Sequence, residues 1–199
     1  MYENHKKHVI NYAGKELIIE TGKHAQLANG SCLVRYGDTV VLSTITASKE
    51  PRPGIDFFPL SIDYEEKMYS IGRIPGSRNR REGRPSDAAI LVSRVIDRPM
   101  RPLFPHDLRN DVVIICTALS VEQDNQPQLA AMIGASIATS ISDIPFNGPV
   151  AAVALGLVNN EIIINPDAAQ RAVSDMYVTL AGTKEKICMI EAEAKQVSD

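Results

Sequence analysis

Eight of the chain's twelve arginines, Arg73, Arg78, Arg80, Arg81, Arg84, Arg94, Arg98 and Arg101, fall between residues 73 and 101. Only Glu82, Asp87 and Asp97 oppose them, so the segment carries +5 in a chain whose net charge is −3. A guanidinium is planar and permanently charged, and it meets two phosphate oxygens with two parallel hydrogen bonds. Arginine gathered into one segment of an acidic chain therefore points to an anion site whose partner is a phosphate or a chain of phosphates.

Other chemistries find less support. His5, His8, His24 and His106 are scattered, and apart from the His5/His8 pair near the terminus none stands at metal-ligand spacing to another His or Cys, so they read as surface side chains. Cys32, Cys116 and Cys188 each lie in an apolar run and read as buried thiols, with no disulfide and no zinc site expected. Tryptophan is absent and aromatics make up 5% of the chain, which disfavours a base-stacking platform and leaves backbone phosphates as the better target.

At 199 residues and 44% hydrophobic content the chain can bury a core as one large or two small domains, soluble and globular. It contains no run of eighteen apolar residues, and its first seven residues lack a signal peptide's apolar stretch. Those two features favour the cytoplasm and no membrane.

The elements that must position the arginines can be placed from turns and periodicity. Two hairpins open the chain, His8–Tyr12 with Leu17–Glu20 around Ala13-Gly14-Lys15, and Cys32–Arg35 with Val40–Thr46 around Tyr36-Gly37-Asp38. A strand follows over Phe58–Tyr64, then a long polar loop over Glu65–Pro85, which in a compact domain is a place for function. Ser86 or Asp87 caps a helix that should run to about Arg98, where Pro99 and Pro102 end it. Its apolar stripe is Leu91, Val95 and either Ala88 or Val92, and Arg94, Asp97, Arg98 and Arg101 share one face. Val112–Leu119 reads as a buried strand and Gln128–Ile141 as a helix of small residues suited to close packing on a sheet. Four strands close the chain: Val150–Leu157, Ile162–Ile164, Met176–Leu180 and Ile187–Ala192. This order predicts an α+β fold of mixed sheets packed against helices, not a doubly wound sheet. The chain stops straight after a strand, so truncation of closing C-terminal elements is expected.

Three segments together carry a resemblance: Ile71–Asp87 (IGRIPGSRNRREGRPSD), Arg94–Pro105 (RVIDRPMRPLFP) and Ala131–Pro149 (AMIGASIATSISDIPFNGP). With DFFPLSIDYEEKMYSIGRIPGS upstream and SDMYVTLAGT downstream, they resemble the first RNase PH-like core of the bacterial polynucleotide phosphorylases over nearly the whole chain. That family is a phosphorolytic exoribonuclease, a nucleotidyltransferase that degrades RNA from its 3′ end to nucleoside diphosphates and can run in reverse. The resemblance implies a parent with two such cores and further RNA-binding domains, three chains forming a ring that threads single-stranded RNA. It implies residues 1–199 as the first core, lacking its closing C-terminal helices, with a main part over 1–145 and a β-rich part over 146–199. It also implies Mg2+ and inorganic phosphate in the full-length enzyme, with neither expected in this segment.

The same resemblance assigns the channel loop to Arg80, Arg81 and Arg84, beside Arg78. Here the chain departs from the family: many members place an aromatic pair before the two arginines, where this chain has Arg78-Asn79. That departure shifts the expected grip from stacking to phosphate attraction. The competing reading is a solvated loop or a subunit contact, but clustered loop arginines repel one another unless an anion is near. Arg94, Arg98 and Arg101 match helix positions that face the channel or the junction between cores, while their spacing to Asp97 fits an internal salt-bridge ladder equally well. In the family's catalytic core the strand matching Ser174–Thr183 carries an Asp and a Lys that bind metal and phosphate, and here those positions are Tyr177 and Thr179. Neither supplies the lost charge, and Asp175 alone reads as structural. The expectation is therefore no catalytic and no metal residue here, but an RNA-guiding, ring-forming segment of an enzyme that is inactive by itself. A standalone RNA- or anion-binding module and a single-core RNase PH-type nuclease are the alternatives.

Overall fold

The computed structural model describes residues 3–77 and 83–197. Arg78, Arg80 and Arg81 lie outside the described residues. Ala13 and Gly14 both hold positive φ, 52° and 82°, the local twist that joins antiparallel strands without splaying them. They link β1 (Lys6–Tyr12) to β2 (Lys15–Thr21). Gly37-Asp38 makes the next tight turn, between β3 (Gly30–Tyr36) and β4 (Thr39–Pro51).

β5 (Leu60–Glu66) and β6 (Asn110–Ser120) run parallel, so a crossover must join them, and it contains the helix α1 (Asp87–Met100). The resulting six-stranded sheet has the order β1-β2-β3-β4-β6-β5, with every other neighbour antiparallel. β5 is thus an edge strand, and α1 packs along it. Helix α2 (Pro127–Ser140) is buried along almost its whole length between this sheet and β7 (Ala151–Val158). Its small residues permit the approach: Cys32, Ser43 and Cys116 sit in register on three adjacent strands, and Gly134 lies over Ser43.

The second sheet adds β8 (Glu161–Ile164), β9 (Met176–Gly182) and β10 (Ile187–Ala194) in the order β10-β9-β7-β8, all antiparallel. Asn159 and Asn160, both at positive φ, form the β7–β8 turn. The outer face of this sheet is aliphatic: Ile190, Leu180 and Val153 form one cross-strand row, and Ala192, Val178, Leu155 and Ile164 the next. No helix among the described residues is long and apolar enough to cross a membrane. The fold is α+β, as its element order requires.

Four details differ from the sequence reading. α1 does not stop at Arg98 but runs through Pro99 to Met100, followed by a 3-10 turn over Arg101–Leu103. Proline in the last helical turn forfeits one backbone hydrogen bond, and Pro99 and Met100 are both buried. The helix buries Ala89, Ile96, Pro99 and Met100, leaving Leu91 60% exposed, because contact with both β5 and α2 turns the apolar arc away from Leu91. A short helix, α3 (Ala168–Val173), was not expected; a reciprocal cap between Asp167 and Gln170 starts it. Cys188 is only half-buried, since it lies on the edge strand β10.

Candidate nucleic-acid interface

Ser86 starts α1 by accepting a hydrogen bond from the Ala89 N–H at 3.2 Å, and Asp87 places a carboxylate in the first turn, where the helix dipole favours it. From that start, residues three and four apart line up against the β5 edge. Ser93 Oγ accepts from the Tyr64 N–H at 2.9 Å while donating to the Ala89 carbonyl at 3.0 Å. One turn beyond Asp97, Arg101 donates from Nη2 to the Leu60 carbonyl at 3.1 Å and from Nη1 to Phe58 at 3.4 Å. Ser93 of α1 and Arg101 just after it thus close part of an edge that would otherwise offer unpaired backbone groups. The groove left between β5 and α1 has a volume of about 280 Å³, and Ser61, Asp63, Arg94 and Asp97 are among its lining residues.

The arginines separate by what they touch. Arg101 grips Asp97 through two hydrogen bonds, Nε–Oδ2 at 2.9 Å and Nη2–Oδ1 at 2.7 Å, and the two main-chain carbonyls use its remaining reach. Arg94 and Arg98 are exposed and have no hydrogen-bond or ion-pair partner among the described residues. Arg73 and Arg84 are exposed in the segments leading into and out of 78–82. Of the seven arginines singled out for RNA, the structure therefore brings Arg94 and Arg98 to the open side of α1 and commits Arg101 to an internal clamp. Arg84 stands two residues before the cap, and Arg78, Arg80 and Arg81 are outside the described residues.

The position of Tyr177 and Thr179 is closed. Thr179 is buried, and the half-buried Tyr177 hydroxyl bonds to Gln126 Oε1. Burial raises the phenol's pKa above its ordinary value, with the nearby Arg171 guanidinium pulling the other way. Arg171 itself is spent on backbone: it donates to the carbonyls of Pro166 at 2.6 Å, Asp124 at 3.3 Å and Gln123. The space left among Tyr36, Asp124, Asn165, Arg171 and Tyr177 is about 10 Å³, at the lower limit for one water molecule. Asp175 is exposed, its N–H and C=O taken by Leu157 and Lys195. Among the described residues no three His, Cys, Asp or Glu side chains cluster as metal ligands would.

Sequence reasoning missed the roles of Ser93 and Arg171, because the Tyr64 N–H that Ser93 binds and the Gln123 and Asp124 carbonyls that Arg171 binds are distant in the chain. Ser93 alone carries a sequence signal, a polar residue where a helix should face its sheet.

The comparisons with known proteins fit this architecture. Residues 13–145 match the 3′ exoribonuclease family, domain 1, and residues 148–199 match the 3′ exoribonuclease family, domain 2. The chain is 67% identical over 194 residues to the polyribonucleotide nucleotidyltransferase of Ruminiclostridium cellulolyticum, an alignment taking in 98% of this chain and 28% of that protein. It is 56% identical over 199 residues to the same enzyme of Clostridioides difficile, covering 100% of this chain and again 28% of the relative. The chain thus spans about 28% of the length of the curated relatives it matches. Its fold is shared with rice (Oryza sativa) Rrp46, with a TM-score of 0.69, 13% identity, and coverage of 99% of this chain and 83% of the other. It is shared as well with a chain of the Archaeoglobus fulgidus exosome with RNA bound to the active site, with a TM-score of 0.68, 19% identity, and coverage of 98% and 79%.

Proposed function

The chain belongs to the 3′ exoribonuclease family, and from that premise we propose that it is the first RNase PH-like core of a polyribonucleotide nucleotidyltransferase and guides RNA instead of cutting it. The whole enzyme would degrade single-stranded RNA from the 3′ end by phosphorolysis, in the cytoplasm, as a homotrimeric ring in which this core meets the second core of the same chain. Arg94 and Arg98, with Arg84 and the arginines of the 78–82 loop, would hold the phosphate backbone electrostatically, a grip indifferent to sequence.

The observation that carries this reading is the contrast between the face of α1 and the strand position on β9. Exposed guanidiniums stand along α1, whereas the strand position that would hold reacting phosphate is filled by Tyr177 and Thr179 with space for about one water. Magnesium needs several carboxylate or water oxygens in octahedral array; the one carboxylate lining this space, Asp124, already accepts from the Ala168 N–H, and a bonded phenol, a buried threonine and two glutamines do not complete such a set. Magnesium and phosphate would therefore act in the remainder of the parent protein.

Two measurements test the proposal. The 199-residue chain should release no nucleoside diphosphate from a short RNA supplied with phosphate and magnesium, and release would overturn the non-catalytic assignment. Its RNA affinity should fall steeply with salt, and Arg80→Ala/Arg81→Ala combined with Arg94→Ala/Arg98→Ala should flatten that slope. An unchanged affinity and slope would remove the arginines as the grip.

A further inference from the structure

The free edge of β5 is closed at two points and open between them. In a parallel ladder alternate residues turn both backbone groups towards the partner strand. The bonds from the Val112 N–H to the Pro59 carbonyl and from the Lys67 N–H to the Ala118 carbonyl place Ser61, Asp63 and Glu65 in that set. Leu60, Ile62 and Tyr64 therefore turn theirs to the free edge, where α1 packs. Leu60 is taken: its N–H donates to Phe58 at 3.0 Å and its carbonyl accepts from Arg101. The Tyr64 N–H is taken by Ser93 Oγ. Midway between these clamps, Ile62 keeps both its N–H and its carbonyl without a partner among the described residues, although it is only 9% exposed.

Ile62 lines the groove between β5 and α1, which at about 280 Å³ lies near the lower bound of about 300 Å³ for small-molecule sites. A peptide strand adding to this edge needs a succession of outward donors and acceptors, and Arg101 and Ser93 leave it one residue. A nucleobase needs no more, because each of the four carries a donor and an acceptor side by side on its pairing edge. The groove supplies the rest of a nucleotide's contacts. Pro85 and the half-exposed Ile90 line it with apolar surface for the face of a ring. The exposed Asp63 carboxylate accepts hydrogen bonds of the kind ribose hydroxyls donate, and the exposed Arg94 guanidinium matches a phosphate. Asp97 and Arg101, the other charged groups of the lining, neutralise each other.

We propose that this groove seats one nucleotide of the RNA strand, its base edge read by the Ile62 main chain and its phosphate held by Arg94. The proposal rests on the RNA-guiding reading and adds a base contact to the phosphate contacts. One backbone donor and one acceptor do not discriminate among bases that all present a partner for each, so the contact suits a strand drawn through irrespective of its sequence.

The test is a set of amide NMR titrations of the 199-residue chain, in which the Ile62 N–H reports directly and the edge strand itself stays unaltered. Adenosine monophosphate should move the Ile62 amide in a saturable way, and ribose 5-phosphate should not. Adenosine monophosphate dimethylated on its amino nitrogen lacks the donor for the Ile62 carbonyl and should bind about 3- to 10-fold more weakly. The cytidine, uridine and guanosine monophosphates should move the same amide, and so should a single-stranded oligoadenylate. Ile90→Trp, which fills the groove from its exposed side, should abolish the shift while the amides of the other strands keep their positions. Equal movement of Ile62 by ribose 5-phosphate and adenosine monophosphate would overturn the proposal. So would an unmoved Ile62 in a chain that still binds oligoadenylate, which would leave the RNA-guiding reading standing. A response to the monophosphates with none to oligoadenylate would overturn it in favour of a site for free nucleotides. A chain that binds no RNA would instead overturn the RNA-guiding reading, and the strand as occupant with it.

Discussion

Arg101 holds Asp97 with two parallel hydrogen bonds one helical turn apart, at 2.9 and 2.7 Å, and the same guanidinium reaches the Leu60 carbonyl on β5. The pair thereby ties the end of α1 to the edge strand and sets the side on which Arg94 and Arg98 face outward. Arg101→Ala should cost about 1–2 kcal/mol, the sum of a half-exposed ion pair and the orphaned carbonyls. It should leave the salt slope of RNA binding where it was. Arg94→Ala and Arg98→Ala should do the opposite, leaving the thermal midpoint unchanged while each lowers that slope by about 0.7 to 1. Thermal melts and salt titrations of the three variants read the two effects separately.

Gly134 lets α2 rest on the sheet. A Cβ there would lie 2.4 Å from Ser43 Oγ and 3.1 Å from Ser43 Cβ, so Gly134→Ala must displace the helix or the strand beneath it. The expected cost is about 1–3 kcal/mol, in the range of other overpacked cores. Ser43→Ala removes the nearer atom, and in that background Gly134→Ala should cost less. A double-mutant cycle by denaturant unfolding measures the difference, and strict additivity would place the strain elsewhere.

What the sequence revealed, and what it hid, follows from how far apart the interacting groups lie. Ala13-Gly14 and Gly37-Asp38 fix their hairpins through backbone geometry contained in a few residues, so both turns were legible. The Asp97–Arg101 spacing was legible too, but not the outcome, because the deciding acceptors, Phe58 and Leu60, come from the distant start of β5 and the residues just before it. Leu91 looked like a core residue because helical spacing identifies a stripe without saying which side the sheet takes. The 3-10 turn over Met68–Ile71 was hidden in a glycine- and proline-containing stretch, because part of its support comes from Val121, just after β6. Tyr177 and Thr179 could be read as missing charges, but not as parts of a closed contact with Gln126.

Stability should fall at high pH. Burial pushes the thiols of Cys32 and Cys116 from an ordinary value near 9 up to about 12. Above about pH 9 the unfolded chain releases these protons while the folded chain keeps them. Their contribution is therefore complete below the unfolded pKa and is lost as pH rises towards the folded one. Each thiol should remove about 1.4 kcal/mol per pH unit across that window. Denaturant midpoints measured from pH 7 to 11 should hold steady and then drop. Cys32→Ala/Cys116→Ala should lower the plateau, through lost packing, and flatten the drop; an equally steep drop would assign it to other groups.

The outer face of the second sheet should behave as an apolar surface in the isolated chain. Ile190, Leu180 and Val153 form one row across it, and Ile164, at 53% exposure, ends the row shared with Leu155, Val178 and Ala192. No polar side chain interrupts either row, and water gains nothing from contact with them. The chain should bind a hydrophobic fluorescent dye in its native state and self-associate as concentration rises. Ile164→Lys/Ile190→Lys should suppress both without lowering the thermal midpoint, because these side chains are more than half exposed and bury little on folding. If dye binding persists in that variant, the signal comes from another surface, and the exposed Tyr69, Ile71 and Ile74 are the next side chains to change.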